Sequence, residues 1–294
     1  MAAALCMIGA MVLLGFVDNY VATIAEAISV WQFLTVRAMM AVLLVWVLSM
    51  FGLGTLRPRR LWAVAVRSLL IAIGMMMYFG SLAFMPIAQS LAGLFTSPIF
   101  VLLMTVVVLK QKIGPWRILA VAVGFAGILL VLGLQQGAPR WIMLMPVAGG
   151  FFYAIGSLAT RILCAEESTL SMLAGIMSMQ WVIGVCALVG LSIWAPAVPE
   201  GADGFLLRGW VWPIASVFPY IVLQAVISVF GVFLLIRAYQ WGEASQVSVL
   251  EYSIMIFGPF FGWLLMGQII TPTMIAGIFL IMIAGGIIAV RSKD

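Results

Sequence analysis

From residue 68 to residue 109 the chain runs without one acidic or basic side chain, and a second such stretch covers 252–290. A helix that crosses a bilayer needs about 20 mainly apolar residues. Each stretch is therefore too long for one crossing and right for most of two. The breaks fall at Met85-Pro86 and at Gly267-Gln268-Ile269-Ile270-Thr271-Pro272. Unpaired backbone cannot face hydrocarbon, so both turns belong at the membrane surface.

The rest of the chain agrees. Of 294 residues 66% are hydrophobic and 8% charged, against roughly 25% charged in soluble domains, and the mean hydropathy is +1.27. Lipid must be part of the solvent. The opening MAAALCMIGAMVLLGF lacks the basic leading region of a signal peptide, and it reads as the first membrane helix. The expected fold class is an all-α integral membrane protein. Cutting at charges, turns and polar clusters gives ten spans: 2–24, 30–51, 61–84, 88–109, 116–134, 140–161, 169–193, 211–237, 244–266 and 273–290.

Lysine and arginine orient these spans. With the N-terminus inside, Arg57, Arg59, Arg60, Arg67, Lys110, Lys112, Arg117, Arg161, Arg237, Arg291 and Lys293 collect on the cytoplasmic side. Arg140 and Arg208 lie outside, and Arg37 lies within the second span. That bias places both termini in the cytoplasm, and it accounts for the net charge of +5 without nucleic acid. Trp31, Trp62, Trp116, Trp141, Trp194 and Trp212 fall near span ends, as an interfacial belt does.

The chain also repeats. Leu109-Lys110-Gln111-Lys112-Ile113-Gly114-Pro115 aligns with Met266-Gly267-Gln268-Ile269-Ile270-Thr271-Pro272, 157 residues later, and Ala126-Gly127-Ile128 echoes Ala284-Gly285-Gly286. The halves are 1–137 and 138–294. Five spans per half is an odd number, so the second half enters the membrane upside down. Inverted repeats of this kind place a substrate site near mid-membrane between the halves.

These segments resemble the drug/metabolite transporter superfamily, EamA family. Phe95-Thr96-Ser97-Pro98-Ile99-Phe100-Val101, then Leu109-Lys110-Gln111-Lys112 and Val123-Gly124-Phe125-Ala126-Gly127, look like its first repeat. Leu250-Glu251-Tyr252 and Gly262-Trp263-Leu264-Leu265-Met266-Gly267 look like its second. Gly15, Asn19, Phe33, Arg37, Tyr153, Ala154 and Arg161 also fit. The chain departs where the family has Gly-Glu and this sequence has Lys110-Gln111, and where the family has Glu and this sequence has Gln268. The resemblance implies ten helices around a central cavity, with the fifth and tenth peripheral. It implies export of small metabolites such as amino acids from the bacterial inner membrane, and the broad or aromatic amino acid exporters look most similar.

Three charges lie well inside spans: Asp18, Arg37 and Glu251. Each costs about 2.5–3.5 kcal/mol at mid-bilayer, so each should face protein or water. Asp18 and Arg37 are nearly equidistant from the turn at 27–28. At about 1.5 Å rise per residue they reach one depth in the outer third, either as an ion pair that gates or as two groups in a wet vestibule. The mirror of Glu251 across the turn at 244 is Arg237. Glu251 can pair with it, face the cavity as a substrate or proton group, or be satisfied by backbone and water.

Asn19, Tyr78, Tyr153, Gln180, Gln224, Tyr239, Gln246 and Tyr252 add neutral hydrogen-bonding groups on spans that the resemblance places around the cavity. With the 20 methionines they suit a zwitterion with a variable side chain. Each can equally serve as an interhelical hydrogen bond. Met75-Met76-Met77 reads as packing, and Gly258-Pro259-Phe260-Phe261-Gly262 as a close, kinked helix crossing.

Three function classes remain to be separated. An enzyme would need a catalytic constellation, yet histidine is absent and Cys6, Cys164 and Cys186 have no metal or redox spacing. A channel would need a polar ring. A secondary carrier working by alternating access needs only what is present, with no cofactor, no metal, and partners limited to lipid and a small-molecule substrate.

Overall fold

A computed structural model of the chain describes residues 2–107, 110, 114–132, 140–194, 196–241 and 250–291. The helices are α1 (Ala2–Val17), α2 (Tyr20–Ala27), α3 (Val30–Met50), α4 (Leu61–Ser81), α5 (Ile87–Leu94), α6 (Ser97–Val107), α7 (Pro115–Leu132), α8 (Arg140–Leu163), α9 (Thr169–Trp194), α10 (Phe218–Trp241), α11 (Ile254–Met266) and α12 (Pro272–Arg291). The described residues contain six helical segments long and apolar enough to cross a membrane, with α1 and α2 counted as one, together with shorter apolar helices.

Both turns expected from the charge-free stretches are present. The chain leaves α4 at Ser81 and re-enters at Ile87, after Pro86. Gly267 ends α11 in the left-handed region at φ 63°, which glycine adopts without a Cβ penalty. Pro272, whose missing N–H costs nothing at a first helical position, opens α12. One boundary moves. The eighth span starts at Phe218 rather than 211, because Pro213 and Pro219 hold the preceding backbone out of the helix.

Three breaks inside spans were not expected. The first span splits at Asp18-Asn19, where Asn19 Nδ2 donates to the Gly15 carbonyl at 2.7 Å and takes an acceptor that a helical N–H would use. The fourth splits at Phe95-Thr96, where Thr96 Oγ1 donates to Gly93 O at 2.7 Å. Tyr252-Ser253 interrupts the ninth, with Ser253 Oγ donating to Leu250 O at 2.6 Å. The last two breaks stand 157 residues apart and use the same back-bond three residues upstream.

Packing between the halves follows the same exchange. The pairs α4–α8 and α1–α10 correspond, as do α4–α9 with α3–α10 and α5–α8 with α1–α11, while α3–α9 and α7–α12 correspond to themselves. Gly124 faces Ala284, and the 157-residue step turns that contact into Gly127 against Ile281, which is also present. Small residues let the helices approach, as lipid-embedded interfaces require. A Cβ on Gly74 would sit 2.7 Å from the Gly149 carbonyl, and one on Gly149 would sit 2.8 Å from that of Gly74. Met75 and Met76 pack against the core.

Trp62, Trp116, Trp141, Trp194 and Trp212 are exposed near helix ends, as a belt requires. Trp31 instead donates its Nε1–H to Leu206 O at 2.8 Å. That contact ties down the segment between α9 and α10, which also docks through Gln32 and Val211 (2.8 and 2.9 Å) and through Arg208 on the carbonyls of Ala25 and Ile28 (3.1 and 3.0 Å). The end of the bundle at the α2–α3 turn is thereby sealed.

Candidate functional site

At the break between α1 and α2 a carboxylate meets a polar cluster built from five spans. Gln224 and Ser228, one helical turn apart on α10, point the same way as Gln180 of α9, Tyr78 of α4 and Arg37 of α3. Arg37 donates from Nε to Gln224 Oε1, from Nη1 to Gln180 Oε1 at 3.0 Å, and from Nη2 to Ser228 Oγ at 3.2 Å. Its guanidinium lies 5.0 Å from the centroid of the Phe79 ring, which adds a cation–π contact. Asp18 accepts from Tyr78 Oη at 2.9 Å and from Gln224 Nε2 at 3.0 Å.

The depth argument thus holds, but the direct ion pair does not form. Among the described residues the one ion pair within 4.0 Å is Arg59–Glu166 on the surface, at 3.2 Å. Gln224 stands between Asp18 and Arg37, its carbonyl toward the cation and its NH2 toward the anion. The amide dipole stabilises both charges, and its orientation is fixed because a flip would set donor against donor. All members of the cluster are buried, Asp18 being 6% and Arg37 3% exposed. The expected wet chamber is therefore shut at this depth and filled by protein polar groups. A hollow of about 620 Å³ lies elsewhere, on the outer face between α11 and α12, lined by Pro259, Trp263, Gln268 and Phe279 among others.

Asn19, next to Asp18, fastens the break rather than joining the cluster. Its Nδ2 also donates to Gly258 O of α11 at 3.1 Å, and a Cβ on Gly15 would lie 2.8 Å from Gly258 N. The close crossing expected of the Gly258–Gly262 segment is thus made with α1.

A second polar group lies toward the other end of the bundle. Arg67 of α4 donates from Nε to Thr160 Oγ1 of α8 at 2.9 Å and from Nη1 to the Met172 carbonyl of α9 at 3.2 Å. Tyr153 of α8 lies within electrostatic reach of both Arg67 and Glu251. Tyr252, buried, stacks on Phe95 with ring centroids 5.3 Å apart and is within reach of Glu251. Arg237 lies over the rings of Phe233 and Trp241, at 5.3 and 5.8 Å. Gln246 and the Tyr239 side chain lie outside the described residues. The cluster thus unites Asp18, Arg37, Tyr78, Gln180 and Gln224 as named from the sequence. Ser228, Arg67 and Thr160 were missed, although Ser228 stands four residues after Gln224 on one helical face.

An all-helical bundle with buried opposite charges between its halves matches a known plan. The profile of the EamA-like transporter family covers residues 1–133 and 140–290. The chain belongs to the EamA-like transporter family. It is a multi-pass membrane protein of the drug/metabolite transporter superfamily, whose fold is ten helices in two repeats. Among curated relatives, a riboflavin transporter of Rhizobium johnstonii is 28% identical over 75% of this chain and 67% of its own length. A riboflavin transporter of Vibrio cholerae is 25% identical over 73% of this chain and 67% of its own. The pseudopaline exporter CntI of Pseudomonas aeruginosa is 26% identical over 74% of this chain and 72% of its own. One crystal structure superposes with a TM-score of 0.65 at 16% identity over 99% of both chains, which shows a shared fold.

Proposed function

We propose that this EamA-family chain is a secondary carrier that exports zwitterionic metabolites of the amino acid class across the bacterial inner membrane by alternating access, with its termini in the cytoplasm. The observation that carries the reading is the Asp18–Gln224–Arg37 bridge. A carboxylate and a guanidinium are held at one depth between the halves, separated by an amide whose place a ligand can take. An α-ammonium group can replace the Gln224 NH2 on Asp18, and an α-carboxylate can replace its oxygen on Arg37. Apolar walls around Phe79 leave the side chain loosely specified. With no catalytic constellation named among its residues, the chain is read as a non-enzyme.

A second reading is a flavin carrier. It is favoured by the relatives named riboflavin transporters, and buried amides and aromatic rings also suit a flat heterocycle with many hydrogen-bonding edges. Proteoliposomes separate the two. Counterflow of labelled amino acid, saturable and accelerated by the same amino acid on the trans side, supports the first; riboflavin counterflow without it supports the second; flux linear in concentration refutes a carrier of either kind.

A further inference from the structure

Along one face of α4 run Arg67, Ile71, Gly74 and Tyr78, and these residues meet Thr160, Gly156, Gly149 and Asp18 respectively. The stripe joins the buried cluster at Tyr78 to Arg67, eleven residues and about 16 Å away at 1.5 Å per residue. The two arginines at its ends are satisfied differently. Arg37 lies beside the Asp18 carboxylate, bridged to it by Gln224. Arg67 is held by a hydroxyl and a backbone carbonyl, and among the described residues it makes no ion pair.

A guanidinium withdrawn from water and met by neutral acceptors alone keeps most of its charge uncompensated. Its planar fork also retains donors suited to a carboxylate. Arg67 is only partly buried, so a ligand can reach it. On its other side stands Tyr153, within electrostatic reach of Arg67 and of Glu251 together. One phenol is thus flanked by a cation and an anion supplied by different spans.

We propose that Arg67, with Thr160 orienting it, is a carboxylate-recognising station at which a zwitterionic substrate docks before it passes to the Asp18–Arg37 cluster, with Tyr153 and Glu251 receiving the ammonium end. This rests on the carrier reading above and names the chemical group that the carrier selects. The station takes α-carboxylates and rejects the same molecule once that group is an amide.

The test is inhibition of labelled amino acid counterflow in proteoliposomes of the full chain by an unlabelled amino acid and by its carboxamide. In the wild type the acid should compete at least tenfold better than the amide. In Arg67→Gln the acid should fall to the level of the amide while the amide itself is unchanged. Thr160→Val, which leaves the guanidinium in place, should lose several-fold for the acid alone. Arg67→Lys should fall between wild type and Arg67→Gln, and it carries the test if Arg67→Gln does not reconstitute. Discrimination that survives in Arg67→Gln, or equal loss for acid and amide, overturns the station while leaving the carrier intact. A wild type that exchanges riboflavin but ignores amino acids overturns the substrate reading and the station together.

Discussion

The Gln224 bridge makes a quantitative claim about Asp18 and Arg37. An amide between two charged groups sets them about 6 Å apart, and at an effective dielectric of about 20 unit charges at that distance interact by about 3 kcal/mol. Asp18→Asn can keep its hydrogen bonds, because the new amide can present its oxygen to Gln224 Nε2 and its NH2 to the Tyr78 oxygen. What it loses is charge, leaving Arg37 buried without a counterion at a cost of about 3 kcal/mol or more. Arg37→Gln leaves Asp18 in the same position. In the double variant neither charge remains, so its loss should resemble that of one single variant rather than the sum. The coupling in the double-mutant cycle should be about 2–3 kcal/mol. Unfolding of purified protein in mixed micelles, where the singles, the double and the wild type share one denaturant axis, measures it. Additivity within about 0.5 kcal/mol refutes the bridge as an electrostatic unit. So does coupling that persists undiminished in a Gln224→Leu background, since removing the amide takes an acceptor from Arg37 and a donor from Asp18.

Other consequences are simpler to read. Ser68 Oγ is fully buried with no hydrogen-bond partner, so Ser68→Ala should stabilise the protein by about 1 kcal/mol; a lower melting temperature would show that the hydroxyl has a partner. Gly149→Val should abolish folding or cost more than about 2 kcal/mol, because its side chain would enter the space of the Gly74 carbonyl, 2.8 Å from a Cβ; wild-type expression and stability would contradict that crossing. Cys164, at the end of α8, is 1% exposed and burial pushes its thiol up, so at pH 8 it should alkylate at least tenfold slower than an exposed thiol, and reaction at the ordinary rate would refute its burial. With the termini inside, a membrane-impermeant maleimide added to whole cells should label Asp203→Cys and should leave Glu166→Cys unlabelled until the membrane is opened; the reverse pattern inverts the topology.

The fold was legible wherever lipid dictates it. The absence of charge over 68–109 and 252–290 demanded two helices each, and Pro86 and Pro272 marked where they part. Depth counted from a turn was also readable, which is why Asp18 and Arg37 could be placed at one level. What stayed hidden was whatever depends on side chains chosen among equals. Nothing local distinguishes Gln224 as the amide that bridges the charges from Gln180 as one that merely accepts, because the difference lies in how α9 and α10 pack on α3. Arg67 stands near a cytoplasmic end among other arginines and counts toward topology in a sequence; only the neutrality of its partners, Thr160 and Met172, sets it apart. Asn19 carried a sequence signal, being a side chain that competes for helical carbonyls, yet in a strongly apolar run that signal was outweighed.

The symmetry-related breaks tie these observations together. Phe95 and Tyr252 are the residues at which the fourth and ninth spans lose regular helix, they are related by the 157-residue step, and their rings touch. A contact between two positions exchanged by an internal two-fold lies on its axis. Each break is held by a hydroxyl bonded three residues back, Thr96 to Gly93 and Ser253 to Leu250, and short tightened turns of this kind often mark hinges within helices. The Asp18 cluster is closed off by the docked α9–α10 segment, whereas Arg67 is partly accessible at the opposite end. Two five-span halves that meet through an aromatic pair on their shared axis can exchange which end is closed by rocking about that pair. A carrier needs that freedom, and it explains why the charges at the centre are bridged by an amide that a substrate can displace rather than locked in direct contact.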